Sequence, residues 1–462
     1  MKRFALAIRR TTATLALCLA LPLYASAQSR SAPGKASGSG SHKLLVVKAA
    51  GTKRYTDPEI LAASRLEVGQ DAAEGNFQEA AQRLVNSGVF TEVAYSFSYT
   101  DTGVKLEFQL TDIDKAKLVP AHFENFIWFT ESDLRSALAH RVPLFKDALP
   151  AGGRLSGEVA QALQAMLAER HLPGRVDFLR QAKQDGGDVT GFVFRVEDLS
   201  VRIRNVDFPG ASPEQAAFLA LAARKLVNAP YSRSAIAAVA QYDFLPLFLQ
   251  RGYLKAAFGP AEAHVVAPPS GQPAGNMQSP NPPEEAPTAE IEVDAIVPAT
   301  PGKQYLVSEV SWKGNSAVTM LESAPFFHLS TGQPADAVRL EQDIGTLLKL
   351  YRSRGYMTAQ IKPEPQMDDE KNTVRYQINV AEGDLYKMGE LDILGADTAS
   401  KDRLHEAWKL GEGQPYNADY TRQFLDGTHR FLPPGLHYSV KLSEQLNAKD
   451  KTVDVTLHFI TQ

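Results

Sequence analysis

Cysteine is almost missing from this sequence. Cys18 is the only one in 462 residues, so no disulfide can form within the chain. Positive charge is also scarce, with 49 Lys and Arg against 53 Asp and Glu. A net charge of −4 argues against nucleic-acid binding, which needs a clustered basic surface. Beyond residue 27 no apolar run is long enough for a membrane helix. The metalloprotease pair HExxH, the Walker glycine loop and the GxSxG elbow do not occur. Ten histidines are scattered, none paired at i, i+3 or i, i+4, the spacings that place two ligands on one helix face. The expectation is therefore a protein with no catalytic site, no metal and no cofactor.

The N-terminus reads as a secretory signal. Lys2, Arg3, Arg9 and Arg10 precede an apolar stretch, Thr14 to Tyr24, and Ala25-Ser26-Ala27 has the small-x-small pattern of a cleavage site. Leu17 before Cys18 is not the small residue that lipidation wants. Cleavage after residue 27 removes four basic and no acidic residues and takes the net charge from −4 to −8. The remainder, 44% apolar and 22% charged over the whole chain, has the make-up of ordinary globular protein.

What the sequence does contain is a repeat. Five segments share an apolar helix end, a glycine or turn, and a strand: "LVNSGVFTEV", "MLAERHLPGRV", "LFLQRGYLKAA", "LYRSRGYMTAQI" and "HRFLPPGLHYSV". Marked at Gly88, His171, Gly252, Gly355 and Gly435, they recur at intervals of 83, 81, 103 and 80 residues. Each is followed by a strand of strict alternation, such as Val104, Leu106, Phe108, Leu110 or Val374, Tyr376, Ile378, Val380. The others place Phe192, Phe194 and Val196, then Ile291, Val293 and Ala295, then Val453, Val455, Leu457 and Phe459 on one face. Period two with polar residues between predicts a sheet covered on one side.

A helix precedes each marker. Leu340, Ile344, Leu347 and Tyr351, with Leu348 beside them, form one apolar stripe, and Gly355 then stops the helix in the left-handed conformation. Asn417 is an N-cap ahead of Tyr420, Phe424 and Phe431, with Pro433-Pro434-Gly435 ending that helix. A short element recurs between the two helical stretches at Gly69-Gln70, Ala229-Pro230-Tyr231, Gly332–Ala335 and Gly413–Tyr416. Trp128, Trp312 and Trp408 are read as packing residues, and Asp368-Asp369-Glu370 as a solvated turn.

The fold class is thus α+β: a tandem array of five β-α-α-β-β units, each a three-stranded mixed sheet with two helices on one face, forming an elongated rod. The expected layout is a signal peptide over 1–27, a flexible linker over 28–42, and units over 43–113, 114–198, 199–303, 304–383 and 384–462. A Pro-rich insertion, 265–288, accounts for the long interval and is expected to be a disordered hairpin loop. Elsewhere units abut with almost no linker, as at Ile113, Leu199 and Gly383.

This pattern resembles the polypeptide-transport-associated (POTRA) domain, found in tandem in the periplasmic arms of outer-membrane assembly factors of the BamA and TamA type. "VSWKGNSAV", "TGQPAD", "LYRSRGYMTAQI" and "TVRYQINVAEGD" carry the likeness, with "LEVGQ", "RLVNSGVFTEVAY" and "GVKLEFQLTD" in the first unit. In that family a β-barrel follows the arm, and this sequence leaves no room for one before Gln462. The resemblance implies that the strand after each helix end lies at a sheet edge and accepts a polypeptide by strand addition. The candidate edge residues are Thr91, Val93, Tyr95, Val176, Phe178, Leu254, Thr358, Ile361, Tyr438 and Val440, with Pro363 and Pro365 as residues that could blunt one edge. The implied setting is the periplasm, peripherally at the outer membrane. Implied partners are unfolded outer-membrane polypeptides, or a separate β-barrel or assembly-machine subunit. The alternatives are a spacer joining envelope components without client handling, or a truncated barrel-less relative.

Overall fold

The computed structural model describes residues 42–183, 187–266, 289–433 and 438–461. The expected signal peptide, nearly all of the 28–42 linker, and Gly435 lie outside them. Contacts divide the chain into two compact units, Met1–Phe123 with Ser132–Glu197, and Glu124–Glu131 with Asp198–Gln462.

The first unit opens with β1 (His42–Ala50), α1 (Asp57–Ser64), β2 (Asp71–Ala72), α2 (Glu74–Ser87), β3 (Phe90–Thr100) and β4 (Gly103–Asp112). The sheet order is β2-β1-β4-β3, with β1 parallel to β4 and β3 antiparallel to it. The next stretch supplies β5 (Leu118–Phe123), α3 (Glu131–Arg141), β6 (Ala148–Pro150), α4 (Leu155–Glu169), β7 (Arg175–Ala182) and β8 (Val189–Glu197), in the order β6-β5-β8-β7. These two sheets therefore have four strands, not the three expected. The extra strands, β2 and β6, are two and three residues long and come from the segment between the helices.

The second unit continues with β9 (Leu199–Asp207), α5 (Pro213–Ala223), α6 (Arg233–Val239), α7 (Leu245–Leu249), β10 (Ala257–Phe258), β11 (Glu262–Val265), β12 (Ala289–Ile296) and β13 (Ala299–Thr300). A π-helical turn, Ala240–Phe244, joins α6 to α7. It ends two residues before Pro246, which has no N–H to give the preceding turn, the usual setting for a local widening of a helix. Here the sheet is β11-β12-β9, and β10 pairs with β13 in a separate ribbon. Val265 closes β11 opposite Val293 and is not part of a loop. Val266 N–H donates to Glu292 O (3.0 Å), and the remainder of the Pro-rich insertion, 267–288, lies outside the described residues.

Then come β14 (Leu306–Lys313), α8 (Met320–Ser323), α9 (Ala337–Ser353), β15 (Gln360–Asp368) and β16 (Thr373–Ala381), ordered β14-β16-β15. Last are β17 (Lys387–Leu394), α10 (Thr398–Ala407), α11 (Ala418–Gly427), β18 (Tyr438–Asn447) and β19 (Thr452–Thr461), ordered β17-β19-β18.

The alternating residues make the cores. Val104, Leu106, Phe108 and Leu110 are buried, as are Val374, Tyr376, Ile378 and Val380, and Val453, Val455, Leu457 and Phe459. Each such side chain stabilises the fold by roughly 1.5–3 kcal/mol of transfer free energy. The stripe of α9 packs on its sheet through Leu340, Leu347 and Tyr351, with Ile344 and Leu348 at the margin. Asn417 caps α11, its side-chain oxygen accepting from Asp419 and Tyr420 N–H. That helix gives way to a 3-10 turn at Thr428, ahead of Pro433. Trp312 and Trp408 pack against the cores of their own stretches. Trp128 and Ile127 join the core of the 199–303 stretch. There Arg233, only 7% exposed, donates to the carbonyls of Phe126, Phe129 and Ala261.

Candidate functional site

Every sheet has two outer edges, and one of them is covered by its own chain. Gly332 N–H donates to Val307 O (2.7 Å), Val307 N–H to Gln333 O (2.8 Å) and Ala335 N–H to Tyr305 O (2.9 Å). Gly413, Met388 and Tyr416 repeat the pattern on Met388 O, Gln414 O and Tyr386 O. Asn228, Ile203 and Tyr231 do so on Ile203 O, Ala229 O and Val201 O. In the first sheet Gly69 and Leu44 exchange bonds through Leu44 O and Gln70 O, and in the second β6 pairs with β5. The short element between the helices, visible in the sequence without a role, is therefore an edge cap. It satisfies outward N–H and C=O groups at the start of each opening strand.

The other edge is the strand at the far end of each sheet: β3, β7, β11, β15 and β18. Thr91, Val93 and Tyr95 lie in β3, with Val93 and Tyr95 buried and Thr91 exposed. Val176 and Phe178 lie half-buried in β7, Ile361 is buried in β15, and Tyr438 and Val440 are half-buried in β18. In each case the side chain faces the core or its margin, apart from Thr91, and the backbone forms the edge.

Two expected edge residues are not in strands. Leu254 sits in a turn closed by Ala256 N–H on Tyr253 O, and Thr358 in the matching turn closed by Ala359 N–H on Tyr356 O. The edge of the third sheet is the four-residue β11, not Leu254–Phe258. The reason is packing between successive stretches. Leu254 inserts against the core of 304–383, and Met357 inserts against the core of 384–462.

These turns belong to a joint made twice. Tyr305 N–H donates to Gly252 O, and Tyr386 N–H to Gly355 O, both at 2.8 Å. Lys255 lies over the Tyr305 ring and Lys451 over the Tyr386 ring, 5.7 and 6.0 Å from the centroids. Asp369, expected to be a solvated turn residue, accepts from Lys255 Nζ (2.7 Å) and Tyr305 Oη (2.5 Å). Those two hydrogen bonds hold its carboxyl below the usual carboxylate range.

Beside β15 an apolar groove of about 470 Å³ runs between the strand and α9, lined by Leu254, Leu340, Ile344, Ile361, Pro363 and Met367. Prolines in sheets sit where the missing N–H would face away from the ladder. Pro363 and Pro365 share their side of the alternation with Ile361 and Met367, so two of four outward amides are missing from this edge. β3, β7 and β18 hold 11, 8 and 10 residues and no proline. No group of three or more His, Cys, Asp or Glu able to hold a metal occurs among the described residues.

Residues 305–383 match the POTRA family model, "Surface antigen variable number repeat". A candidate outer membrane protein assembly factor of Treponema pallidum (strain Nichols) is 28% identical over 127 residues, 25% of this chain and 15% of that protein. The chain thus spans a small part of that relative's length. Among solved structures, BamA POTRA3-5 of Haemophilus influenzae is 16% identical, with 56% of this chain and 96% of that chain covered at a TM-score of 0.42. The N-terminal domain of Omp85 from the thermophilic cyanobacterium Thermosynechococcus elongatus is 17% identical, with 57% and 98% covered at a TM-score of 0.23. The family match covers residues 305–383.

Proposed function

We propose that the chain is a non-enzymatic array of five repeats of one POTRA unit, acting in the periplasm in outer-membrane protein assembly, insertion or translocation. It binds extended polypeptide by strand addition at the open edges β3, β7 and β18. The observation that supports this reading is the asymmetry of the sheets: the start of one edge is capped by the chain itself, and the strand at the other edge pairs with no further strand among the described residues. Main-chain pairing recognises extended conformation more than side-chain identity, which suits unfolded outer-membrane polypeptides or a strand of a separate β-barrel partner. The match to a candidate outer membrane protein assembly factor supports the setting.

The bonded joints at Gly252 and Gly355 favour a second reading, a spacer that holds envelope components apart without handling clients. Hydrogen exchange on the full chain separates the two. With an unfolded outer-membrane polypeptide added, amides of β3, β7 and β18 should gain protection, and those of β15 much less. Protection absent from all four strands would leave the spacer reading.

A further inference from the structure

Within the Met1–Phe123 and Ser132–Glu197 unit, α1 and α2 face α3 and α4 across a cleft of about 610 Å³. Four arginines line it: Arg65, Arg83, Arg141 and Arg154. This is a dense positive site on a chain whose net charge is −4.

Two of the four are already engaged. Arg83 pairs with Glu79 (3.1 Å) and donates to Ser64 O (3.1 Å). Arg141 holds Glu169 through both guanidinium nitrogens, at 2.8 and 2.6 Å. The side chains of Arg65 and Arg154 have no hydrogen-bond or ion-pair partner among the described residues. The single acid lining the cleft is Glu158. Burial raises its carboxyl above the ordinary value, against the pull of Arg65.

The backbone adds a second observation. Arg65 caps α1 in the left-handed region, φ 56°, where a long side chain is rare and glycine is the usual choice. The cleft is also preformed. Arg154 N–H donates to Asn86 O (2.8 Å), Tyr55 Oη donates to Leu144 O (3.2 Å), and Lys146 pairs with Glu59.

We propose that this cleft binds a phosphate-bearing ligand, with Arg65 and Arg154 pairing its oxygens while Arg83 and Arg141 stay tied to the walls. A guanidinium fork matches phosphate oxygens two at a time, and the phosphate's negative charge offsets the two arginines that have no hydrogen-bonded acid among the described residues. The volume exceeds that of one phosphate, since a water occupies about 30 Å³ of liquid, so the phosphate is one group on a larger molecule. The source is a free phosphorylated compound or a lipid headgroup. The site is independent of the strand edges and does not rest on the reading given to them.

The test uses the full chain, its R65Q/R154Q double variant and R352Q as a control. Two probes are used: inorganic pyrophosphate by calorimetry, and vesicles of phosphatidylglycerol against phosphatidylcholine by sedimentation. Both substituted arginines are exposed, so the thermal midpoint should stay unchanged and a lost site is distinguished from a lost fold. The expected result is binding that weakens by roughly tenfold or more in the double variant and not in R352Q. Binding of pyrophosphate points to a free compound; binding of phosphatidylglycerol vesicles alone points to a headgroup. No binding of either probe, or equal binding by all three proteins, overturns the proposal.

Discussion

A methyl group on Gly355 would lie 2.7 Å from Tyr386 O and 2.8 Å from Leu385 Cδ1, at a φ of +92°. Gly252 is in the same position against Tyr305 O, at 2.6 Å and +81°. The left-handed backbone alone costs an L-residue about 1–2 kcal/mol. Gly332 has a similar φ, +83°, with nothing within 4 Å of its added carbon, so it isolates that backbone cost. Gly332→Ala should therefore lose about 1–2 kcal/mol in urea unfolding, and Gly355→Ala roughly twice that, because the neighbouring carbonyl must also shift. Equal losses would mean that the joint is soft. The helix-stopping role of Gly355 was readable from sequence, since an apolar stripe ends at Tyr351 just before it. Its second role was not. Tyr386 is 31 positions along the chain, and nothing local announces that its N–H will meet Gly355 O. Asp369 escaped for the same reason, its partners Lys255 and Tyr305 being 114 and 64 residues away.

At the scale of the element, alternation was a dependable guide. β4, β8, β16 and β19 bury the residues that period two selects, because a central strand touches helices on one face only. Turn residues with strand-like composition were the weak point. "YLKAAF" has the aromatic and apolar content of a strand, yet Leu254 leaves the ladder because the next core offers its side chain a place. The edge caps were visible as recurring Gly-Gln and Pro residues, but their hydrogen bonds belong to a strand some 25 residues earlier. β15 makes an element-scale prediction. P363T/P365T restores two outward amides to this edge without changing its register. In the exchange experiment above, β15 of that variant should gain protection comparable to β18. Protection confined to the wild-type strands would mean that the apolar groove, and not the missing donors, decides what β15 accepts.

For the whole chain, the repeat interval carried most of the information. Intervals near 80 residues marked stretches that each contain a parallel strand pair, and the one longer interval holds the Pro-rich insertion between β11 and β12. What the interval could not convey is how a neighbour shapes each stretch, as when Ile127 and Trp128 join the core of 199–303. Under the strand-addition reading, several edges on one chain also have a consequence for affinity. A client long enough to engage two of them gains an effective concentration, worth roughly 10²–10⁴ when the geometry permits both contacts. An unfolded polypeptide of about 60 residues should bind at least about tenfold more tightly than a peptide of about 10 residues from the same sequence, measured by anisotropy. Equal affinities would mean that one edge acts alone.

The edge caps set a limit on what these sheets can build. A strand with two free sides can be extended indefinitely, which is how fibrils grow. Each of the five larger sheets has the start of one edge closed by its own turn, and at the other edge a strand that pairs with no further strand among the described residues. In the language of polymers it is a monofunctional end group, able to stop a growing ribbon but unable to lengthen it. Once its open side is occupied, by a client or by a second copy, the edge that remains is one whose start is already covered, a poor template for further pairing.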